Sequence, residues 1–306
     1  MAIFYFLIFP GFIFTAVVGL LASWIDRKVT ARVQWRKGPP ILQPLYDIVK
    51  LMGKETIVPE GGSRLTFLLS PLFGLAAVTI ISTLLWRTII SPGTTFVGDL
   101  IVILYLLTIP PLAVIIGGFA SRNPLASLGA SREMKLILAY ELPFVLVAFI
   151  PVIKAGTIRI GEILSYQLNN GIAVSSLSGI IGFLVAILCM QAKLTLVPFD
   201  MPEAETEIMA GTYIEYSGVS LAVYKLTRAM MLFVLPMFLV TLFMGGIIFS
   251  GWHILWGILK YVLLLVIIVL IRNTAPRVRI DQAMKFFWGP MTGLAVLAII
   301  LALFGK

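Results

Sequence analysis

From Asp99 to Phe119 the chain reads DLIVILYLLTIPPLAVIIGGF, with one charge, at its first position. A helix that crosses a bilayer needs about 20 mostly apolar residues, and this run supplies them. Seven further runs of the same kind lie at about 2–24, 66–86, 136–154, 176–197, 228–248, 254–272 and 287–304. The pattern predicts an all-α, polytopic membrane protein with about eight transmembrane helices. No internal repeat divides it, so residues 1–306 are expected to form one integral membrane domain.

Composition supports this reading. The 306 residues are 60% hydrophobic and 12% charged, whereas a soluble domain carries about 25% charged residues. With a mean hydropathy of +1.05, the apolar side chains exceed what one aqueous core can hide, and lipid must take the rest. The first run opens at Met1 without a basic segment and is followed by Asp26-Arg27-Lys28. It therefore reads as a retained span rather than a cleaved signal.

The net charge of +9 does not point to nucleic acid, because the basic residues sit in short loops between apolar runs. Of the 23 lysines and arginines, 18 fall in or beside the loops after spans one, three, five and seven. By the positive-inside rule those loops are cytoplasmic, and both termini lie outside the cell membrane. In the first cytoplasmic loop, about 25–65, Leu45, Ile48, Val49 and Met52 recur at i, i+3, i+4 and i+7. This predicts an amphipathic helix on the membrane surface, serving as an anchor to the bilayer, a platform for a partner, or both.

One cysteine, Cys189, and one histidine, His253, exclude an iron–sulfur cluster or a bis-histidine haem in this chain. Any electron carriers must belong to other chains. Acids become the informative residues. Glu141 lies in Leu138-Ala139-Tyr140-Glu141-Leu142-Pro143, inside span four. An ionised carboxylate there is costly enough that it should face the bundle interior or water. Pro143 has no N–H for the carbonyl of Ala139, leaving an acceptor free beside the acid. Glu141 is therefore expected to handle protons, with an interhelical hydrogen bond as the plainer alternative.

Asp200, Glu203, Glu205, Glu207 and Glu215 crowd one cytoplasmic stretch that begins Pro198-Phe199-Asp200-Met201-Pro202. If the stretch after Pro202 is helical, Glu203 and Glu207 share a face and repel each other. Shared protonation or pairing with arginine would relieve this, and coupled titration suits a proton relay. A metal site is disfavoured, since no histidine or suitable acid spacing accompanies the cluster. Arg27, Arg32, Arg36, Arg277 and Arg279 share the acids' side of the membrane and are candidates to balance their charge. Some of these will instead face lipid phosphates.

At this point the motifs resemble a family. Asp26-Arg27-Lys28, Ala31-Arg32-Val33-Gln34-Trp35-Arg36-Lys37-Gly38-Pro39 and Leu42-Gln43-Pro44 resemble the first loop of the heel subunit of respiratory complex I. The 198–207 segment with Glu215-Tyr216-Ser217-Gly218, and Arg272-Asn273-Thr274-Ala275-Pro276-Arg277-Val278-Arg279, are similar to its later loops. Gly129-Ala130-Ser131-Arg132-Glu133 looks more like the archaeal membrane-bound hydrogenases and sulfane sulfur reductases. The resemblance implies a non-catalytic coupling subunit. It would dock a hydrophilic redox arm at the cytoplasmic loops and pass protons or conformational energy to antiporter-like membrane subunits. The arm's subunits would carry a [NiFe]-type site and iron–sulfur clusters, with no cofactor in this chain. It also implies that Asp200, Glu203, Glu205, Glu207 and Glu215 are the loop acids, with Glu141 the buried acid and Asp26 part of the set. Asp26 departs from the glutamate common in complex I relatives, which weighs against a quinone site. A quinone-site subunit, a stand-alone ion transporter and a Mg²⁺-dependent transferase are the rival expectations.

Overall fold

The computed structural model describes residues 2–249 and 251–305, and the side chains of all of these but 2, 3, 205 and 206. The described residues are helical and contain no strand. Helix α1 (Ala2–Leu7) leads into α2 (Phe12–Val33), the surface helix α3 (Gln43–Met52) and the long α4 (Arg64–Ile90). Helices α5 (Asp99–Leu106) and α6 (Ile109–Ala120) form one broken span. The chain continues through α7 (Pro124–Ala155), α8 (Ile160–Asn170), α9 (Leu177–Lys193) and α10 (Glu205–Ile208). Then come α11 (Gly218–Met244), α12 (His253–Thr274), α13 (Ile280–Phe286) and α14 (Thr292–Leu303).

Seven of these units are long and apolar enough to cross a membrane, counting α13 with α14 as one. The eighth predicted span corresponds to α9, whose 17 residues sit at the short end of the spanning range. Four borders differ clearly from expectation. Helix α2 runs on to Val33 rather than 24, and the last span begins with α13 at Ile280 rather than 287. Helix α7 begins at Pro124 rather than 136, because Asn123 caps it and Pro124 occupies a first-turn position that needs no N–H. Helix α11 begins at Gly218 rather than 228. The break between α5 and α6 falls just before Pro110 and Pro111, which have no N–H to continue the ladder.

Helix α11 is the central post. Its most apolar window is 94% buried, against 22–56% for the other six candidate spans. The cause is visible in its sequence, since Met230 to Phe243 is apolar on every face and leaves no polar stripe. Helix α2 crosses it very closely at Gly19. A Cβ there would lie 2.6 Å from the carbonyl oxygen of Ala229, so only glycine allows this approach. The contact brings Asp26 on α2 to the same chamber as Lys225 and Arg228 on α11.

Helix α3 places Ile48 against the bundle and leaves Leu45, Val49 and Met52 exposed. The predicted apolar stripe is thus divided between packing and an outward face.

The loops between helices are bonded to one another at one end of the bundle. Gln34 Nε2 donates to Asn273 Oδ1 (3.4 Å), Ser63 N to the carbonyl of Ala120 (3.2 Å) and Ile57 N to Ser217 Oγ (3.1 Å). Val278 N donates to the carbonyl of Pro198 (3.0 Å), tying the last loop to the acidic one. These are the four loops that the charge pattern groups on one side, and they carry the acids.

Candidate functional site

The acidic stretch is not one helix. Glu203 lies in a turn, and α10 spans only Glu205–Ile208. The expected i, i+4 repulsion between Glu203 and Glu207 is therefore replaced by separate partners. Glu203 Oε2 meets Arg228 Nη1 at 2.6 Å, and its other oxygen accepts from Thr195 Oγ1 at 3.2 Å. Glu207 Oε2 meets Arg132 Nη1 at 2.6 Å, and the same nitrogen reaches the carbonyl of Met201 at 3.2 Å. Asp200 is held by one edge of the Arg277 guanidinium, with Nε donating to Oδ1 at 2.7 Å and Nη2 to Oδ2. Glu215 accepts from Asn123 Nδ2 at 2.6 Å. The side chain of Glu205 lies outside the described residues.

Charge balance comes largely from residues outside the expected balancing set: Arg132, Arg228 and Arg272. Asp26 pairs with Arg272 at 2.7 Å. Arg27 instead pairs with Asp47 at 2.6 Å, on α3, and Arg279 faces Asp281 at 3.8 Å. Neither serves the loop acids. Arg32 and Arg36 make no ion pair among the described residues. Of the five expected balancing arginines, Arg277 alone holds a loop acid in the described structure.

Glu141 is also paired. Lys193 Nζ, at the end of α9, donates to its Oε2 at 2.9 Å. The Lys193 side chain is wholly buried and Glu141 is 24% exposed. The ammonium also lies 4.7 Å from the ring centre of Phe144 and 5.3 Å from that of Tyr140. Aromatic faces on two sides and one carboxylate thus replace its hydration. The sequence leaves an acceptor free beside Glu141; the structure shows that the acid itself is engaged by the Lys193 ammonium.

Glu133, one of the motif residues, is as deeply buried as Asp99, the other most secluded acid among the described residues. It lies on α7, is 2% exposed, and its Oε2 has no hydrogen-bond partner among the described residues. With Lys193, Glu203, Thr212, Tyr213 and Arg228 it lines a cavity of about 50 Å³. That is room for a few water molecules, since one needs about 10–15 Å³ on this measure. Burial, together with the Glu203 charge, pushes the Tyr213 phenol up, so it stays a neutral donor at physiological pH. The signal for Glu133 is the cap at Asn123-Pro124, which places residue 133 inside a helix rather than a loop. Gly129 supports the same corner, because a Cβ there would come within 2.8 Å of Thr212 N.

A second, larger cavity of about 800 Å³ adjoins the first, sharing Leu194, Thr195, Glu203 and Arg228 in its wall. Asp26, Asp200, Arg272 and Arg277 also line it. Charged groups therefore run from this loop-side chamber through Arg228–Glu203 and Glu133 to Lys193–Glu141. No group of three or more His, Cys, Asp or Glu placed to hold a metal ion occurs among the described residues.

The family model described as NADH dehydrogenase matches residues 5–303. The chain belongs to this family. Its curated relatives are H-type subunits of NADH-quinone oxidoreductases. The one from Thermomicrobium roseum is 35% identical, covering 94% of this chain and 92% of its own length. That of Geobacillus thermodenitrificans is 31% identical over 96% and 90%. A solved chain from the membrane-bound sulfane sulfur reductase, an archaeal respiratory membrane complex, superimposes with a TM-score of 0.85 at 29% identity. That match covers 95% of this chain and 96% of the other. A chain of this type is a membrane component of a multisubunit complex, so partner subunits are implied.

Proposed function

We propose that this subunit couples redox chemistry in a docked hydrophilic arm to ion movement in antiporter-like membrane neighbours. The arm's subunits would carry a [NiFe]-type site and iron–sulfur clusters and would bind the loop face, with the complex in the cell membrane. The carrying observation is the run of ionisable side chains from the large chamber to the Lys193–Glu141 pair, with Glu133 and Lys193 buried along it. Movement of the arm would strain the loop that Arg277 and Arg228 hold through Asp200 and Glu203. Changing either pair changes the field at Glu133, the one acid of the run without a charged partner among the described residues. A proton gained or lost there would alter the balance between Lys193 and Glu141, the latter about two helical turns farther along α7.

The test replaces Glu141 with Gln in the intact complex, reconstituted in liposomes. Ion pumping should fall sharply while electron transfer by the arm continues. Pumping at the unaltered rate would sink the relay.

A quinone-reducing role is the second reading. It draws on the names of the curated relatives and on the size of the chamber. Quinone co-purifying with the complex, and lost on filling the chamber, would favour it.

A further inference from the structure

Helix α2 ends in a turn that holds a residue ill suited to it. Trp35 N donates to the carbonyl of Arg32 at 3.1 Å, and Arg36 N to that of Ala31 at 2.7 Å. These two bonds close a Schellman turn, whose left-handed position is usually glycine. Here Trp35 occupies it, with a φ of +57°. A bulky residue is disfavoured there because its Cβ crowds the following carbonyl. The side chain recovers nothing within the chain. At 97% exposed, it is the most open large hydrophobic side chain among the described residues.

Its surroundings are cationic. Arg32, Arg36 and Lys37 are exposed and make no ion pair among the described residues. No acid occurs between Arg27 and Asp47. The turn is also fixed in place. Gln34 is bonded to Asn273, and Trp24 Nε1 donates to the Pro39 carbonyl at 3.1 Å. Gly38 lies so close to α2 that a Cβ on it would come within 3.2 Å of the Lys28 Cα. Trp35 is therefore presented on a rigid tip, which lowers the ordering cost of binding.

Height decides what the tip can meet. The surface helix α3 is tied to α2 at Arg27 through Asp47. Its exposed Leu45, Val49 and Met52 mark the level at which apolar side chains reach lipid. Helix α2 runs six residues past Arg27, about 9 Å, before the turn begins. A headgroup layer is about 5–7 Å thick, so the tip stands clear of it.

We propose, resting on the reading that a hydrophilic arm binds the loop face, that Trp35 is the anchor of that contact. Its indole enters an apolar slot on a hydrophilic subunit, and carboxylates at the rim of the slot meet Arg32, Arg36 and Lys37. Tryptophan and arginine are the side chains that most often dominate such contacts.

The experiment uses the intact complex in liposomes, with photoreactive p-benzoylphenylalanine in place of Trp35 or, separately, of Met209, which is 68% exposed near the acidic loop. Irradiation should join position 35 to a hydrophilic subunit, at a peptide rich in aspartate or glutamate by mass spectrometry. Trp35→Gly should weaken retention of the arm about thirtyfold, since truncating an interface tryptophan costs about 2 kcal/mol and about 1.4 kcal/mol is tenfold. The same variant should leave the membrane part as stable as before, because glycine suits the turn. Arg32→Gln with Arg36→Gln and Lys37→Gln should flatten the rise of arm release with salt. A cross-link from position 35 to lipid, with retention unchanged in Trp35→Gly, would overturn the proposal in favour of a bilayer anchor. Capture of the arm from position 209 but not from 35 would also overturn it, while leaving the docked arm in place. Capture from neither position would overturn both.

Discussion

The Lys193–Glu141 pair offers the most searching test of how the bundle is held together. At 2.9 Å and an effective dielectric constant of about 20, the gross attraction is about 6 kcal/mol. Desolvation of the wholly buried ammonium consumes much of that, so the net worth of the intact pair is small. Removing only one partner is different. In Glu141→Ala the Lys193 ammonium keeps its burial and its two aromatic neighbours but loses its carboxylate. The cost of such a broken pair is about 3–5 kcal/mol. The lower end applies here, because Glu141 is 24% exposed and water can enter in its place. Replacing both, as Glu141→Leu with Lys193→Met, removes the uncompensated charge and should restore most of the loss. A double-mutant cycle on the thermal stability of the purified complex measures this, with coupling of about 2 kcal/mol expected. A Glu141→Ala complex as stable as the unaltered one would refute the argument. So would a double variant no better than the single.

Three other outcomes are expected. Gly19→Val should lower the yield of folded complex, since its Cβ would meet the Ala229 carbonyl at 2.6 Å and force α2 from α11, at about 2–3 kcal/mol; membrane extraction and size-exclusion yield check it. Burial alone would raise the Asp47 carboxyl, but hydrogen bonds from Arg27 and Gln43 and the Arg27 charge hold it below the usual carboxylate range. A depressed folded-state value means that the tie between α2 and α3 is present above the ordinary 3.8 and is lost as pH falls below it. Amide exchange in residues 43–52 should therefore quicken between about pH 4 and 3, and Asp47→Asn should remove that dependence. Finally, Glu133→Gln should leave stability unchanged or slightly improved, because it removes a buried acid without a charged partner, while lowering ion pumping in liposomes. A clear loss of stability would show that Glu133 is a structural ligand instead.

The eight apolar segments could be read from hydropathy because a bilayer demands length and imposes little else. Span borders were harder. Residues 124–135 carry Arg132 and Lys135, and hydropathy alone assigns such residues to a loop. The Asn123-Pro124 capping signal was present but had less numerical weight than the charges. The acids themselves were legible, as Glu141 and the loop residues stood out against an apolar background. Their partners were not. Arg228, Arg272 and Lys193 lie 25, 246 and 52 residues from Glu203, Asp26 and Glu141 respectively. Pairing across such separations is set by helix packing, which periodicity does not specify. The division of the cations followed the same limit, with Arg27 turning to α3 and Arg277 to the acidic loop.

Asn123 acts as a linkage with two ends. Its carbonyl oxygen accepts from Leu125 N at 2.8 Å and starts α7, while its amide nitrogen holds Glu215. Aspartate or serine can begin a helix equally well, but a carboxylate has no proton to offer Glu215. A carboxamide at this position therefore lets the acidic loop grip the first turn of the helix that carries both Glu133 and Glu141. One side chain thus ties the loop acid Glu215 to the start of the helix that carries Glu133 and Glu141, and Asn123→Asp would break that tie while keeping the helix cap.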